Sequence, residues 1–232
     1  MPLLNRRLIC AAEMLGTRKA VADIGTDHAF LPVYLIRNRL AERVIACDIA
    51  PGPLASAQNN IRKYGLSGQI ELRMADGLDG VRPQECDSVT ITGMGGETIA
   101  DIIRRAEWLR QGKHLLVLQP MSCDDRLREY LNQNGFSLLA ERGVFSQGRV
   151  YTVMRAHYTG EAPVTDCCFP YVGRLLEHPG DAEIAFATRR LHSMRRCMEE
   201  IRAVPRRREL YEKLERAAVQ IEQRLAEQQA KG

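Results

Sequence analysis

The sequence predicts an α/β fold in which a largely parallel β-sheet is followed by a helical tail. Two observations support this prediction. Over the first 160 residues, short apolar runs alternate with longer helical patterns, which is typical of β-α-β units. From Ala182 onward, apolar residues recur at near-heptad spacing, which indicates paired helices. They form two stripes: Leu191, Met194, Met198 and Ile201, then Leu210, Leu214, Ala217, Ile221 and Leu225. We therefore expect two parts, residues 1–160 and residues 161–232.

Five parallel strands are expected, and most of them read as continuous apolar runs, as strands buried on both faces do. They are residues 20–24, 44–48, 70–74, 88–92 and 115–119. The intervening helices are expected near residues 29–39, 53–64, 97–105 and 123–133. Two further extended segments, residues 136–142 and 149–156, are joined by a turn-rich stretch and predict an antiparallel pair at one sheet edge. A parallel sheet that ends in such a pair resembles the Rossmann-like class I methyltransferase fold, whereas the ordinary dinucleotide-binding fold usually continues with a parallel strand.

The tail is expected to be an antiparallel, coiled-coil hairpin of two helices. Glycines and prolines concentrated in residues 157–181 indicate a linker before it. Pro205 separates the two apolar stripes, and it suits a first helical turn better than a helix interior. Residues 182–232 contain 12 Lys and Arg against 8 Glu, so the tail holds the whole formal excess of +4. Such a tail is either a solvated helical surface or a surface for phosphates.

The composition excludes several classes of protein. A hydrophobic content of 45% with 27% charged residues is typical of a soluble globular chain. No apolar run approaches the roughly 20 residues that cross a bilayer, and the first residues lack a secretory pattern, so we expect no membrane contact and a cytoplasmic location. The seven cysteines are scattered and never spaced as C-x-x-C, and the five histidines lie far apart, so no metal site is expected. The adjacent Cys167 and Cys168 leave a redox or metal feature as an alternative.

The first motif, Asp23-Ile24-Gly25-Thr26-Asp27-His28-Ala29, ends the first predicted strand. Gly25 lets the backbone turn sharply against a ligand, and a nucleotide here would lie outside the carboxyl ends of the strands. The motif is not G-x-G-x-x-G, because Asp27 replaces the second glycine and its carboxylate would repel a pyrophosphate. S-adenosylmethionine has a sulfonium and an ammonium and no phosphate, so it suits this turn better. Asp23, Gly25, Asp27 and His28 are candidate cofactor-binding residues; a plain turn capped by Asp27 is the alternative.

Two further acidic positions lie at the ends of the second and third predicted strands. Asp48, with Ile49 after it, stands about 20 residues beyond Gly25, where a carboxylate binds the ribose hydroxyls of NAD and S-adenosylmethionine alike. Asp76 can accept a hydrogen bond from the exocyclic amine of adenine, and Gly77 leaves room for the ring. These four residues, Asp48, Ile49, Asp76 and Gly77, are candidate cofactor ligands. An ordinary Asp-Gly turn is the alternative for the last two.

A glycine-rich segment, Gly93-Met94-Gly95-Gly96, follows the fourth predicted strand. Three glycines in four positions indicate that the backbone closely approaches another group. Methyltransferases acting on adenine N6 usually have an Asp/Asn-Pro-Pro-aromatic motif here, and this chain does not. A glycine-rich loop without a base suggests a nucleophile with a free lone pair. Gly93, Met94 and Gly95 are therefore added to the candidate cofactor site.

Three motifs together resemble a known family. They are Asp23-Ile24-Gly25-Thr26-Asp27-His28-Ala29, Thr92-Gly93-Met94-Gly95-Gly96 and Leu118-Gln119-Pro120. In this order they are similar to the bacterial tRNA (adenine-N1)-methyltransferases that modify position 22 in the D-arm. The resemblance implies an enzyme that moves a methyl group from S-adenosylmethionine to N1 of an adenosine in folded tRNA. It also implies that the helical tail is a coiled-coil appendage.

The chemistry of adenine N1 agrees with this resemblance. N1 has an in-plane lone pair and no hydrogen, so catalysis could consist mainly of positioning. Because Watson–Crick pairing hides N1, the base must first be unpaired or turned out of the stack. Gln119 and Tyr151 are candidates for holding it, and simple packing is the alternative for both. The candidate RNA contacts are tail arginines expected on outer helix faces, where they could bind phosphates: Arg189, Arg190, Arg195, Arg196, Arg206, Arg207 and Arg208.

Two other functions stay open from the sequence alone. A small-molecule methyltransferase would share the cofactor motifs, but nothing in it requires a basic helical tail. A non-catalytic RNA-binding or scaffold protein would explain the tail and leave Asp23, Gly25, Asp48 and Asp76 without a joint purpose.

Overall fold

The computed structural model describes residues 4–230, and within them seven strands form a single sheet. The strands are β1 (Arg18–Ile24), β2 (Ala41–Asp48), β3 (Ile70–Met74), β4 (Ser88–Gly95), β5 (Leu115–Ser122), β6 (Phe136–Ser146) and β7 (Arg149–Tyr158). Their order across the sheet is β3-β2-β1-β4-β5-β7-β6. The first five run parallel, and β7 lies antiparallel between β5 and β6. The predicted α/β class and the antiparallel closing pair are confirmed.

Helices cover both faces of the sheet. They are α1 (Arg6–Leu15), α2 (Phe30–Arg37), α3 (Pro51–Lys63), α4 (Gly96–Arg105), α5 (Asp124–Gln133), α6 (Phe169–Val172), α7 (Asp181–Ile201) and α8 (Arg208–Gln229). Side chains of α4 and α5 share one buried cluster with the sheet, and those of α1, α2 and α3 share the other. Alternate residues of β2 enter opposite clusters, Ile45 into the first and Val44 into the second, as the period of two in a strand requires.

Helix α1 precedes the first strand and was not among the predicted helices. Its N-cap is Asn5, whose side chain accepts a hydrogen bond from the Leu8 N–H (3.0 Å). Its C-cap is Gly16, whose positive φ of 67° favours glycine. Its buried face packs against β5, β6 and β7. This position brings Arg7 to the carboxyl end of β5, where its side chain reaches Gln119.

The strands β4 and β5 extend further than the sequence indicated, and their extensions contain the glycine-rich segment. Met94 pairs with Pro120 and Gly95 with Ser122, with a register irregularity around Gly93, whose φ is 82°. The segment predicted to be a loop is therefore a bulged end of the sheet. A Cβ on Gly96 would overlap the carbonyl oxygen of Cys123, so close backbone packing explains that glycine.

The tail helices α7 and α8 pack against each other and against α6 around a buried cluster. Leu191, Met194 and Leu214 of the predicted stripes lie in it, whereas Leu210 is exposed, which corrects its expected place in the seam. The helical tail is confirmed, and coiled-coil geometry stays a prediction. The boundary after residue 160 also stays a prediction; β7 ends at Tyr158. Every helix within residues 4–230 is too short or too polar to cross a membrane.

The tail is fixed to the sheet by a buried ionic network. Arg128, fully buried in α5, donates to Asp124 Oδ2 (2.7 Å) and to Glu141 Oε1 (2.7 Å). Arg190 of α7 donates to the other oxygen of Asp124 (2.5 Å). Phe186 of α7 is buried beside Val150. The expectation that Arg190 lies on an outer face is therefore wrong, because its charge is needed to neutralise Asp124.

Candidate active site

A cavity of about 530 Å³ opens at the carboxyl ends of β1, β2 and β4. It lies where parallel α/β sheets bind ligands, outside the strand ends. Six of the predicted cofactor residues line it: Asp23, Gly25, Asp27, Asp48, Gly93 and Met94. The remaining lining comes from Asn5, Arg7, Leu8, Thr26, Phe30, Leu31 and Thr92. The structure thus brings together residues from three separate motifs.

Asp23 is the most deeply buried carboxylate of this cavity. Only 2% of the residue is exposed, and its Oδ1 accepts a hydrogen bond from the Thr90 hydroxyl (2.6 Å). Burial raises the pKa of Asp23 to about 6, although the bond from Thr90 opposes this shift. A cationic group in the cavity would favour the ionised carboxylate and would be held by it.

Asp48 ties the ends of β1 and β2 together. Its Oδ2 accepts from the Asp27 N–H (3.1 Å), and its Oδ1 accepts from the Ala50 N–H (3.1 Å). Each carboxylate oxygen keeps further lone pairs, which can accept hydroxyl groups of a ligand. Asp27 has a φ of 51° and an exposed side chain, and the N-cap of α2 is Ala29, so Asp27 does not cap that helix. Asp27 therefore lines the cavity and does not cap the helix.

Gly25 allows the sharp turn between β1 and α2. It has a φ of 72°, and its N–H donates to the Cys47 carbonyl (2.9 Å). A Cβ at this position would overlap the Cε of Met94, which also lines the cavity. Thr26, next in the chain, is buried and its hydroxyl has no hydrogen-bond partner among the described residues. The hydroxyl of Thr26 is therefore available to a ligand.

The other predicted cofactor residues lie outside this cavity. His28, Ile49 and Asp76 have exposed side chains, and Gly77 is buried against α4. Asp76 forms a two-point ion pair with Arg105 (2.9 and 3.0 Å), which lowers the pKa of this carboxyl. The sequence predicted a free carboxylate at Asp76, whereas in the structure this carboxylate is paired with Arg105.

Two exposed apolar side chains lie beside Asp48, one next to it in the chain and one on β3. Ile49 is 66% exposed and Met74 is 70% exposed, and Met74 is paired in register with Asp48. Large exposed apolar side chains beside a polar cavity are suited to a flat ring. Sequence reasoning did not single out Met74. Gly95 has ordinary space around a Cβ, with Ser122 Oγ nearest at 3.4 Å.

Arg7 connects the cavity to Gln119 and Tyr151. It donates to Gln119 Oε1 (2.6 Å), and its Cζ lies 5.0 Å from the centre of the Tyr151 ring. Gln119 is fully buried, and its Nε2 donates to the Pro120 carbonyl (2.7 Å). Gln119 and Tyr151 therefore both contact Arg7. Sequence reasoning missed Arg7 because α1 lies far from these two residues in the chain.

The cavity carries an excess of negative charge, with Asp23, Asp27 and Asp48 against the single guanidinium of Arg7. Such a lining favours a cationic ligand with hydroxyl groups over a phosphate. Among residues 4–230, no three His, Cys, Asp or Glu side chains converge to hold a metal ion.

Comparison with known proteins identifies the family. A family model described as a methyltransferase domain matches residues 4–154. The chain belongs to this methyltransferase family. The matched range contains the whole cavity and most of the sheet.

Relatives of this methyltransferase include a tRNA (adenine(22)-N(1))-methyltransferase of Bacillus subtilis, 38% identical over 153 residues. That alignment covers 66% of this chain and 64% of the relative's own length. The crystal structure of the B. subtilis m1A22 tRNA methyltransferase TrmK is similar with a TM-score of 0.80 at 31% identity, covering 97% of both chains. The resemblance indicated by the three motifs is confirmed.

A further solved structure is informative about ligands. A Streptococcus pneumoniae protein in complex with S-adenosyl-L-methionine is 26% identical, with a TM-score of 0.80. The match covers 94% of this methyltransferase and 98% of that chain. The similarity includes the helical tail as well as the sheet.

Proposed function

We propose that this methyltransferase moves a methyl group from S-adenosylmethionine to N1 of adenosine 22 in the D-arm of tRNA. The observation that supports it most is the acidic cavity, lined by Asp23, Asp27 and Asp48. The substrate is inferred from the B. subtilis relatives, which are described as tRNA methyltransferases acting on adenine 22. We keep the cytoplasm as the expected location of the activity, because tRNA is the substrate.

The residues of the cavity fit the proposed cofactor. Asp23 would hold its ammonium group, and Asp48 would hold its ribose hydroxyls, with Ile49 and Met74 beside the adenine ring. S-adenosylmethionine supplies an electrophilic methyl group on a sulfonium. Thr26 offers an unpartnered buried hydroxyl, and Gly25 keeps the backbone free of a side chain where the cofactor enters. Asp76 would have to leave Arg105 before it could bind the adenine amine.

On the substrate side, the chain supplies position rather than a base. The N1 lone pair is free, so holding the adenine in line with the methyl group lowers the barrier. Gly93 and Met94 border the cavity on this side, and Arg7 stands between them and Tyr151. The Oε1 of Gln119 accepts a hydrogen bond from Arg7. The role we propose for Gln119 is therefore to position the Arg7 guanidinium.

The raised pKa of Asp23 predicts that cofactor affinity depends on pH. Below about pH 6 the free chain holds a proton on Asp23, and a cationic ligand must displace it. Affinity for S-adenosylmethionine should therefore fall about ten-fold per pH unit below this value and level off above it. Isothermal titration between pH 5 and 8 measures this. An Asp23→Asn variant should bind weakly without that dependence, and the same slope in the variant would remove Asp23 from the account.

The same shift has an opposite consequence for stability without ligand. Between the ordinary Asp value of 3.8 and about 6, folded chains hold a proton that unfolded chains have lost. The contribution of Asp23 to stability therefore decreases as pH rises through this window.

We also propose that the tail contacts tRNA phosphates through its unpaired arginines. Arg196, Arg206 and Arg207 are exposed and form no ion pair with a described carboxylate. Arg195 pairs with Glu222 and Arg208 with Glu212, so their charges are partly compensated within the tail. Phosphate contacts of this kind would fix the orientation of the RNA without reading its bases.

Replacing Arg196, Arg206 and Arg207 together by glutamine should weaken tRNA binding and flatten its salt dependence. Each lost phosphate contact should lower the slope of log affinity against log salt by about 1. Binding titrations at several salt concentrations measure this, with Arg195→Gln as the matched control. Point variants are preferable to removing the tail, because truncation would expose Phe186 and leave Asp124 without Arg190. An unchanged slope in the triple variant would contradict the proposed contact.

A small-molecule methyltransferase remains the second candidate, since the cavity alone would serve it. Transfer of a labelled methyl group from S-adenosylmethionine distinguishes a tRNA methyltransferase from a small-molecule methyltransferase. We expect incorporation into unmodified tRNA and little into free adenosine or AMP. The reverse preference would overturn the proposed function.

A further inference from the structure

A second pocket, of about 200 Å³, lies between the start of β7 and the first half of α7. Its walls include Pro120, Met121, Arg149, Tyr151, Phe186 and Arg189. Arg7 lines the cofactor cavity and lies over the Tyr151 ring, and Tyr151 lines this second pocket. The cofactor cavity and the second pocket are therefore adjacent, with the stacked side chains of Arg7 and Tyr151 between them.

The pocket has two cationic groups that no described carboxylate neutralises, Arg149 and Arg189. The one acidic residue in its lining is Asp124. Both oxygens of Asp124 accept hydrogen bonds, one from Arg128 and one from Arg190. The lining therefore has a positive excess, unlike the acidic cavity beside it.

Arg189 is held in place by an aromatic ring. Three guanidinium groups surround the buried ring of Phe186, with Cζ atoms 5.4 to 5.7 Å from its centre. Two of them, on Arg128 and Arg190, are bound to carboxylates. Arg189 alone of the three has no such partner among residues 4–230. Stacking limits its freedom, so binding an anion costs less side-chain entropy than for a free surface arginine.

We propose that this pocket binds one phosphodiester group flanking the target adenosine, an inference that rests on the proposed function. Pro120 and Met121 continue β5 beside the glycine-rich end of β4, so the pocket adjoins the reaction site. An adenosine turned into that site brings its own backbone linkages with it. Guanidinium groups bind phosphate oxygens through directed, paired hydrogen bonds. Arg149 and Arg189 would thereby hold the flipped nucleotide, and Pro120, Met121 and Tyr151 would face its ribose.

The test uses the full chain and a tRNA joined from two synthetic pieces. One neutral methylphosphonate replaces the linkage on the 5′ or the 3′ side of adenosine 22. Affinity is measured with S-adenosylhomocysteine present, for the unaltered chain and for the Arg149→Gln/Arg189→Gln double variant. One of the two neutral linkages should weaken binding to the unaltered chain by about ten-fold. The double variant should be about ten-fold weaker on normal RNA and insensitive to that linkage.

Arg62→Gln is the matched control, since it removes an exposed charge from α3, outside both pockets, and should leave the sensitivity to the neutral linkage intact. Equal affinity of the unaltered chain for all three RNAs would overturn the pocket, and so would a double variant that stays as sensitive as the parent. Methyl transfer to the normal RNA is followed in parallel. Intact transfer with no linkage effect overturns the pocket alone, whereas absent transfer overturns the proposed function and the pocket with it.

Discussion

Arg128→Met should lower the free energy of unfolding by about 3–5 kcal/mol, the cost of leaving a buried charge without its partner. Arg128 is fully buried, and it donates to both Asp124 and Glu141. Its loss leaves Glu141, whose side chain is also fully buried, with Thr152 and the Arg174 N–H as its remaining donors. Urea titration followed by circular dichroism measures the change.

Arg126→Met is the control for this substitution. Arg126 lies on the same helix, is 65% exposed, and pairs only with Glu129. An exposed ion pair of this kind contributes about 0–1 kcal/mol. If the two variants were equally stable, the ionic network would not be what fixes the tail to the sheet.

Gly25→Ala should weaken cofactor binding strongly while the chain still folds. The left-handed backbone at Gly25 costs an alanine about 1–2 kcal/mol. Its Cβ would also displace Met94 into the cavity, and overpacking costs about 1–3 kcal/mol more. The backbone cost lowers stability with or without cofactor, whereas the crowding by Met94 must be relieved when the cofactor binds. This crowding corresponds to roughly a ten- to hundred-fold loss of affinity, which calorimetry with S-adenosylmethionine can measure.

Gly16→Ala separates backbone strain from crowding. Gly16 has a φ of 67°, close to that of Gly25, and nothing lies within 4 Å of an added Cβ. It should lose stability through its own backbone strain and bind the cofactor normally. Normal binding by Gly25→Ala as well would mean that the β1–α2 turn does not approach the cofactor.

The sheet could be predicted because its signals are local. Short apolar runs, most of them continuous, located the five parallel strands, and the turn between Gly143 and Gly148 located the antiparallel pair. The six cavity residues were found for the same reason, since Asp23 and Asp48 lie at the ends of strands and Gly25 directly follows one. The carboxyl ends of parallel strands must meet at one edge.

The remaining features depend on contacts between distant segments. Nothing near Asp76 shows that Arg105, 29 residues away, shares its carboxylate. Arg190 fits an outward helical position by periodicity, yet it neutralises Asp124, 66 residues earlier. Arg7 reaches Gln119 across 112 residues. Ion pairs and hydrogen bonds of long side chains have no sequence period, so only the folded structure reveals them.

The most direct test of the proposed function is to map the methylated atom. Unmodified tRNA is incubated with the full chain and S-adenosylmethionine, digested, and analysed by mass spectrometry, with primer extension to find the position. We expect 1-methyladenosine at position 22, and no product when guanosine replaces that adenosine. A methyl group on another atom or at another position, or no methylated nucleoside at all, would contradict the proposed function.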